Sequence, residues 1–98
     1  MENKIRVVAR ISVRPDKLTE TLQTLGGLIT ATRIEEGCIT YELLQNVEDP
    51  LDLTFVEEWA SPEALKEHFE TEHFRAVAAQ AGDLLTAPPD IRRYAVLV

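Results

Sequence analysis

The 98 residues have the length of one domain, and 45% hydrophobic with 28% charged residues is typical of a globular chain. Seventeen acidic residues against ten basic ones give a net charge of −7, which repels phosphate backbones and anionic lipid. We therefore expect a single domain over residues 1–98 that binds neither nucleic acid nor a membrane. A chain this short buries only about 60–70% of its unfolded surface, which favours a partner subunit.

The cysteine content and the first residues predict the compartment. Cys38 is the only cysteine, so no disulfide forms within the chain. The first thirteen residues carry charges throughout and contain no apolar stretch of about seven to fifteen residues, which argues against a signal peptide or a spanning helix. We expect a cytoplasmic protein.

The first predicted elements are a strand and a helix. Apolar and polar residues alternate over residues 4–13, as in a strand with one buried face. Asp16 is then predicted to cap a helix that ends near Arg33. Gly26 and Gly27 predict a local kink or a close approach of another backbone. The apolar stripe of this helix is expected to consist of Leu18, Leu22, Leu25 and Ile29.

A hairpin is predicted next. Residues 38–46 and 52–60 are rich in strand-forming residues and are separated by a turn at residues 48–50. Gly37, in the turn before the hairpin, is expected to adopt a positive φ. Alternation along the second strand of the hairpin places three residues on one face: Phe55, Glu57 and Trp59.

Two helices and a strand are predicted for the rest of the chain. Ser61 and Thr71 each precede a helix as hydroxyl N-caps, and Gly82 closes the second helix. The predicted ranges are 62–69 and 72–81 for the helices, 83–89 for a loop and 91–98 for the last strand.

The element order predicts the fold. Strand, helix, two strands, two helices and a strand form the split βαβ arrangement of ferredoxin-like α+β folds, with one four-stranded antiparallel sheet and helices on one face. The other face also carries apolar residues, and the chain has no further element to cover it. We expect a homodimer in which a second copy of the sheet covers that face.

A segment in the middle of the chain resembles a known family. The matching residues follow one another with ordered spacing: Gly37, Cys38, Tyr41, Glu42, Asp49, Pro50, Glu57, Trp59, Ala64, Leu65, His68, His73 and Phe74. This pattern closely resembles the antibiotic biosynthesis monooxygenase family, small dimeric α+β-barrel proteins that include quinol and anthrone monooxygenases. The resemblance implies a reaction without metal or prosthetic group, in which a small aromatic phenol or quinol is deprotonated and its anion reacts with molecular oxygen.

Such a reaction requires a base with a pKa near neutrality, an apolar pocket and donors for a developing oxyanion. Histidine suits the base, so His68 and His73 are the candidate catalytic residues. The candidate substrate-binding residues are Tyr41, Glu57, Trp59 and Phe74, together with Arg10 and Arg93 as an anion clamp suggested by the charge distribution.

The sequence predicts neither a metal nor a cofactor. His68 and His73 are five residues apart, so on one unbroken helix their side chains would point about 140° apart. Metal sites need three or more converging ligands, and the chain has two histidines and one cysteine. Its four glycines never form the G-x-G-x-x-G fingerprint of dinucleotide binding.

Two other classes of function remain open: an isomerase or related small-molecule enzyme on the same scaffold, and a non-catalytic dimeric ligand-binding module. A planar apolar cavity favours the monooxygenase, an arginine-lined polar cavity the isomerase, and a pocket filled by side chains the binding module. Haem degradation is disfavoured, because haem-degrading relatives use a strand-one asparagine and a last-helix histidine that this chain lacks.

Overall fold

The computed structural model describes residues 3–98 and folds them into four strands and four helices. The strands are β1 (Ile5–Ser12), β2 (Cys38–Asn46), β3 (Asp49–Trp59) and β4 (Asp90–Tyr94). The helices are α1 (Leu18–Arg33), α2 (Pro62–Glu70), α3 (Glu72–Ala78) and α4 (Ala81–Leu84).

The strands form one antiparallel sheet in the order β2-β3-β1-β4, which confirms the predicted α+β ferredoxin-like fold. One row of paired residues crosses all four strands. Glu57 of β3 pairs with Tyr41 of β2 and with Val7 of β1, and Val7 pairs in turn with Arg93 of β4. Directly paired residues point to the same face of a sheet, so these four side chains share one face.

Helices cover that face, and alternate strand residues point into the core. Fully burying a large apolar side chain contributes roughly 1.5–3 kcal/mol, so this layer provides much of the stability of the fold. The predicted common face of Phe55, Glu57 and Trp59 is confirmed. The strand residues buried on this side are Val7, Ala9, Ile11, Tyr41, Leu53, Phe55, Glu57 and Trp59.

The opposite face of the sheet mixes apolar and charged residues. Val8 pairs with Val56 at its centre, and both are half-buried. Leu44 and Tyr94 are 49% and 47% exposed. The homodimer predicted from this face remains a prediction.

Helix α1 differs from its prediction in three respects. It begins after Lys17 without a side-chain cap, so Asp16 is not the cap. It runs unbroken through Gly26 and Gly27, and a Cβ added at either would meet no heavy atom within 4 Å, so the predicted kink or close approach is wrong. Leu22 is 40% exposed. The buried stripe keeps the predicted spacing but starts at a threonine: Thr21, Leu25, Leu28 and Thr32.

Gly37 is required by packing and not by its backbone angle. No glycine among the described residues has a positive φ, so the predicted positive φ of Gly37 is wrong. A Cβ at residue 37 would lie 2.2 Å from the Cβ of Ala64, far inside van der Waals contact. The absent side chain therefore allows α2 to approach the start of β2.

Both predicted N-caps of the later helices are confirmed. The Ser61 hydroxyl accepts a hydrogen bond from the Ala64 N–H at 3.1 Å, and the Thr71 hydroxyl accepts one from Phe74 at 3.2 Å. The third predicted helix is divided in two, because α3 ends at Ala78 and the separate turn α4 occupies part of the predicted 83–89 loop. Strand β4 ends at Tyr94 and so is shorter than predicted, while β3 begins earlier, at Asp49.

Within residues 3–98, no helix has both the length and the apolar composition needed to cross a bilayer.

Candidate active site

A cavity of about 280 Å³ lies between the sheet and the helices. This volume is at the lower end of small-molecule sites, which typically measure about 300–1,000 Å³. Its walls are largely aliphatic and aromatic, and no arginine lies among its lining residues in the described chain. Four lining residues carry a polar side-chain group: Thr21, Tyr41, Glu57 and His68.

Four of the residues predicted from the sequence line this cavity, namely Tyr41, Glu57, His68 and Phe74. His73 does not line it but lies behind His68, with ring centroids 6.3 Å apart. Trp59 is fully buried and also outside the lining. The structure thus groups seven of the eight predicted residues when Trp59, His73 and Arg93 are counted as contacts of lining residues.

The two histidines converge on one carboxylate that sequence reasoning did not select. Glu35 Oε2 lies 2.8 Å from His68 Nδ1 and 2.6 Å from His73 Nε2. The side chains of His68, Glu35 and His73 are 1%, 15% and 29% exposed, respectively. The three groups therefore form a hydrogen-bonded row from the cavity wall towards solvent.

The break between α2 and α3 is the local cause of this convergence. His68 lies in the last turn of α2, and His73 lies in the first turn of α3. Between them, Thr71 has extended backbone angles, and its hydroxyl donates to the His68 carbonyl at 2.7 Å. The two histidines thus do not share one helix axis, as the predicted helix start at Thr71 implies, and the 140° divergence of an unbroken helix does not apply.

The same three residues offer ligand atoms that all lie within 4.8 Å of one another, so they could hold a metal ion. Two ligands of a tetrahedral zinc, each about 2.0–2.1 Å from the metal, lie about 3.3 Å apart. Glu35 Oε2 is closer than this to both nitrogens, at hydrogen-bond distances. The geometry therefore favours a carboxyl group hydrogen-bonded to both histidines.

These bonds determine how His68 can react. If Nδ1 donates its hydrogen to the Glu35 carboxylate, the other ring nitrogen, Nε2, has a free lone pair. Burial lowers the pKa of His68, and the hydrogen bond to Glu35 opposes this effect. A ring on the cavity wall that favours the neutral form is suited to act as a proton acceptor.

Unlike His68, Glu57 favours its protonated form. It is 5% exposed, and its Oε1 accepts a hydrogen bond from the Trp59 indole Nε1 at 2.8 Å. Burial raises the pKa of Glu57 to about 7, although the bond from Trp59 lowers it. The cavity thus holds a histidine inclined to be neutral and a carboxyl inclined to be protonated, an arrangement typical of base and acid pairs.

Aromatic rings enclose His68. Trp59 lies 4.6 Å from it between ring centroids at an interplanar angle of 37°, and Tyr41 lies 5.6 Å away in an edge contact. Phe74 and Phe69 lie at 5.0 and 5.5 Å. Burial, together with the nearby Glu57, raises the pKa of the Tyr41 hydroxyl, so Tyr41 is a neutral hydrogen-bonding group at physiological pH.

Comparisons with known proteins identify the family of the chain. The sequence model of antibiotic biosynthesis monooxygenases matches residues 4–80. The chain belongs to the antibiotic biosynthesis monooxygenase family. It is 36% identical over 85 residues to the Bacillus subtilis protein named "Putative monooxygenase YcnE", covering 87% of this chain and 90% of that protein.

Two solved structures in particular are similar to this antibiotic biosynthesis monooxygenase chain. Rv0793 from Mycobacterium tuberculosis has a TM-score of 0.93 at 34% identity, over 98% of this chain and 97% of that one. A conserved protein from Methanosarcina mazei has a TM-score of 0.90 at 36% identity, over 94% and 91% of the two chains.

The two arginines predicted to clamp an anion differ in position. Arg10 lies on the sheet face opposite the cavity, where it bonds both oxygens of Asp52 at 3.2 and 3.3 Å. Arg93 lies in the same row as Glu57, and its guanidinium carbon is 5.7 Å from the centroid of the Phe69 ring, which lines the cavity. Only Arg93 is therefore beside the cavity of this monooxygenase-family chain.

Glu35 is the site residue that sequence reasoning missed. It lies in the turn between α1 and β2, where a glutamate next to another glutamate resembles ordinary turn composition. Seven of the seventeen acidic residues lie at positions 35–57, so the sequence did not identify which one contacts the histidines.

Proposed function

We propose that this protein is a cofactor-independent monooxygenase that oxidises a small, planar quinol- or anthrone-like molecule with molecular oxygen. The observation that carries the proposal is His68, a histidine bonded to a carboxylate and placed on the wall of an apolar cavity. Membership of the monooxygenase family and the size of the cavity support a small-molecule substrate.

The first step is removal of a proton from the substrate. Glu35 orients His68, and Nε2 accepts the substrate proton as the imidazolium forms. The resulting imidazolium is stabilised by the Glu35 carboxylate at 2.8 Å. The apolar walls favour binding of an aromatic ring and exclude water from the electron-rich anion.

The second step is reaction of that anion with oxygen. For a substrate carbon that bears two hydrogens, the anion transfers an electron to oxygen, and the two radicals combine to form a carbon–oxygen bond. Glu57 supplies the proton that converts the peroxide anion to a hydroperoxide. Loss of the remaining hydrogen as a proton, with cleavage of the oxygen–oxygen bond, yields a ketone and one water. Glu57 then regains a proton from solvent, which balances the proton that leaves His68.

The base must then release its proton. The exposed fraction of the side chains rises along the row from His68 through Glu35 to His73. The hydrogen bonds that join Glu35 to each histidine are 2.8 Å or shorter. We assign this row as the route by which the proton reaches solvent: Glu35 takes the Nδ1 hydrogen of the His68 imidazolium and passes it to Nε2 of His73 in its Nδ1–H tautomer. His73 is accordingly a proton-transfer residue and not the base.

The alternatives are supported less well. An isomerase of a phosphorylated substrate calls for an arginine-lined polar cavity, and the lining residues within 3–98 include no arginine. A binding module whose pocket is filled by side chains does not match an open volume of about 280 Å³. The apolar cavity favours the monooxygenase.

We also propose that the working form is a cytoplasmic homodimer. The half-buried Val8–Val56 pair and the exposed side chains of Leu44 and Tyr94 lie on the sheet face away from the helices. A second copy of the same face would remove these apolar groups from water, as in other two-fold symmetric dimers.

Oxygen uptake with reduced naphthoquinones and anthrone tests the function. Wild-type protein, treated with a chelator, is expected to consume oxygen with at least one compound of the panel. Glu35→Gln is expected to reduce turnover, because the amide cannot stabilise the imidazolium. The neighbouring exposed residue provides a matched control, and Glu36→Gln is expected to retain full turnover.

No oxygen uptake with any member of the panel, from protein that is folded by circular dichroism, would argue for the binding module instead. Equal turnover of Glu35→Gln and wild type would remove the Glu35–His68 pair from the mechanism.

A further inference from the structure

The hydroxyl of Thr21 is buried without a partner. Thr21 is 1% exposed, and its Oγ1 forms no hydrogen bond with any described residue. Threonines within helices commonly bond the carbonyl four residues earlier, as Thr30 does to Gly26 at 3.1 Å. Buried polar groups in native proteins are nearly always satisfied, so an unpartnered hydroxyl requires an explanation.

Thr21 also lines the cavity. Thr32, the other buried threonine of this helix, is not among the lining residues, and its hydroxyl faces the Tyr41 side chain. The two residues therefore differ in one relevant respect: only Thr21 can be satisfied by a molecule inside the cavity.

Thr21 lies at the end of the cavity away from the acid and base. At the C-terminal end of α1, Arg33 Nε donates to the Tyr41 carbonyl at 3.0 Å, and Tyr41 pairs with Glu57. Thr21 is twelve residues before Arg33, which is about 18 Å along a helix axis. The N-terminal end of α1 thus lies over the opposite end of the sheet.

Two residues of β1 give the length of the cavity. Val7, which pairs with Glu57, and Ile11 both line it. Four residues of extended strand separate them, or about 13 Å. A ring system with one oxygen on each of two opposite sides, plus a hydrogen bond of about 2.8 Å at each end, has a comparable span.

We propose that Thr21 donates a hydrogen bond to the far oxygen of a ligand whose near oxygen lies beside His68 and Glu57. The preferred ligand is then a planar aromatic molecule oxygenated at two opposite positions. The placement of the near oxygen rests on the proposed function, whereas the Thr21 contact is a binding property that can be measured without turnover.

The experiment uses two naphthol probes, each with a hydroxyl on one side of the ring. Opposite the hydroxyl, one carries a methoxy group and the other an ethyl group of similar size. Binding is measured by calorimetry without oxygen, so that no reaction occurs. One net hydrogen bond corresponds to roughly a 3- to 10-fold difference in affinity, so wild-type protein is expected to bind the methoxy probe tighter by that factor.

The variants identify the hydroxyl responsible. Thr21→Val, which is isosteric, is expected to bind the two probes equally. Thr21→Ser retains the hydroxyl and is expected to keep the preference, as is the matched control Thr32→Val. If Thr21→Val does not fold, Thr21→Ala with the same probes replaces it.

Three results would overturn the proposal: a preference that survives in folded Thr21→Val, equal affinity of wild type for both probes, or binding of neither probe. A Thr21-dependent preference without any oxygen uptake would refute the proposed function alone. Oxygen uptake without such a preference would refute the Thr21 contact alone.

Discussion

Trp59 and Glu57 lie two residues apart on the same face of β3, and the indole Nε1 donates to the carboxyl Oε1 at 2.8 Å. Trp59 is outside the cavity lining, whereas Glu57 is part of it. The tryptophan predicted to line the pocket therefore acts on the cavity through the carboxyl group that it contacts. Its bond lowers the pKa of Glu57, against the larger effect of burial.

Replacing Trp59 by phenylalanine is expected to raise the pKa of Glu57 above its value of about 7, because the stabilising donor is lost. If Glu57 must be protonated for turnover, the high-pH limb of kcat/KM moves to higher pH in Trp59→Phe. A pH series of oxygen-uptake rates measures this shift, and an unchanged limb would contradict the role given to Glu57.

Wild-type activity is expected to have a narrow pH optimum. His68 must be neutral, and its pKa is lowered from 6.5 by burial, so the acidic limb lies below that value. Glu57 must be protonated, so the alkaline limb lies near pH 7. In Glu57→Gln the residual activity should lose the alkaline limb and keep the acidic one. Retention of both limbs would show that another group titrates near neutrality.

The stability of the fold is also expected to depend on Glu57. Its pKa is raised from 4.5 to about 7, so the unfolded chain loses this proton at lower pH than the native protein. Stability attributable to this group therefore falls as pH rises from 4.5 to about 7 and then levels off. The full loss is about 3 kcal/mol, at 1.36 kcal/mol per pKa unit.

Glu57→Gln removes this titration while its amide oxygen can still accept the bond from Trp59. Denaturant unfolding should show the variant more stable than wild type at pH 8, by up to about 3 kcal/mol, and the difference should decrease towards pH 4.5. A difference that does not change with pH would mean that Glu57 does not titrate as described.

Replacing His73 by alanine is expected to slow release of the proton from the imidazolium. Because His73 does not line the cavity, KM should change little while kcat falls, and added imidazole buffer should restore part of kcat. Replacing His68 should lower kcat roughly 10²- to 10⁴-fold, the range for loss of a general base. Equal losses in both variants, without rescue of His73→Ala, would exclude the proposed order of transfer.

Light scattering is expected to give twice the 11.0 kDa mass of one chain. Val8→Glu places a charge at the centre of the sheet face away from the helices, where it would be buried in the dimer. This variant should dissociate the dimer while its circular dichroism spectrum remains that of the wild type. A wild-type mass of one chain at micromolar concentration would refute the homodimer.

Alternation and capping residues were sufficient to predict the sheet and the starts of α2 and α3. Ser61 and Thr71 carry local signals that do not depend on distant residues. The buried stripe of α1 was misplaced because hydropathy does not mark Thr21 as a core residue. Glu35 could not be predicted, because its partners lie 33 and 38 residues away and meet it only through packing of α2 and α3.

The close contact between Gly37 and Ala64 sets the position of His68. Ala64 lies one helical turn before His68 on the same face of α2, and Glu35 lies two residues before Gly37. A methyl group at residue 37 would push the helix outward and lengthen the bond between His68 and Glu35. A small side chain at residue 37 should therefore reduce turnover while the protein still folds.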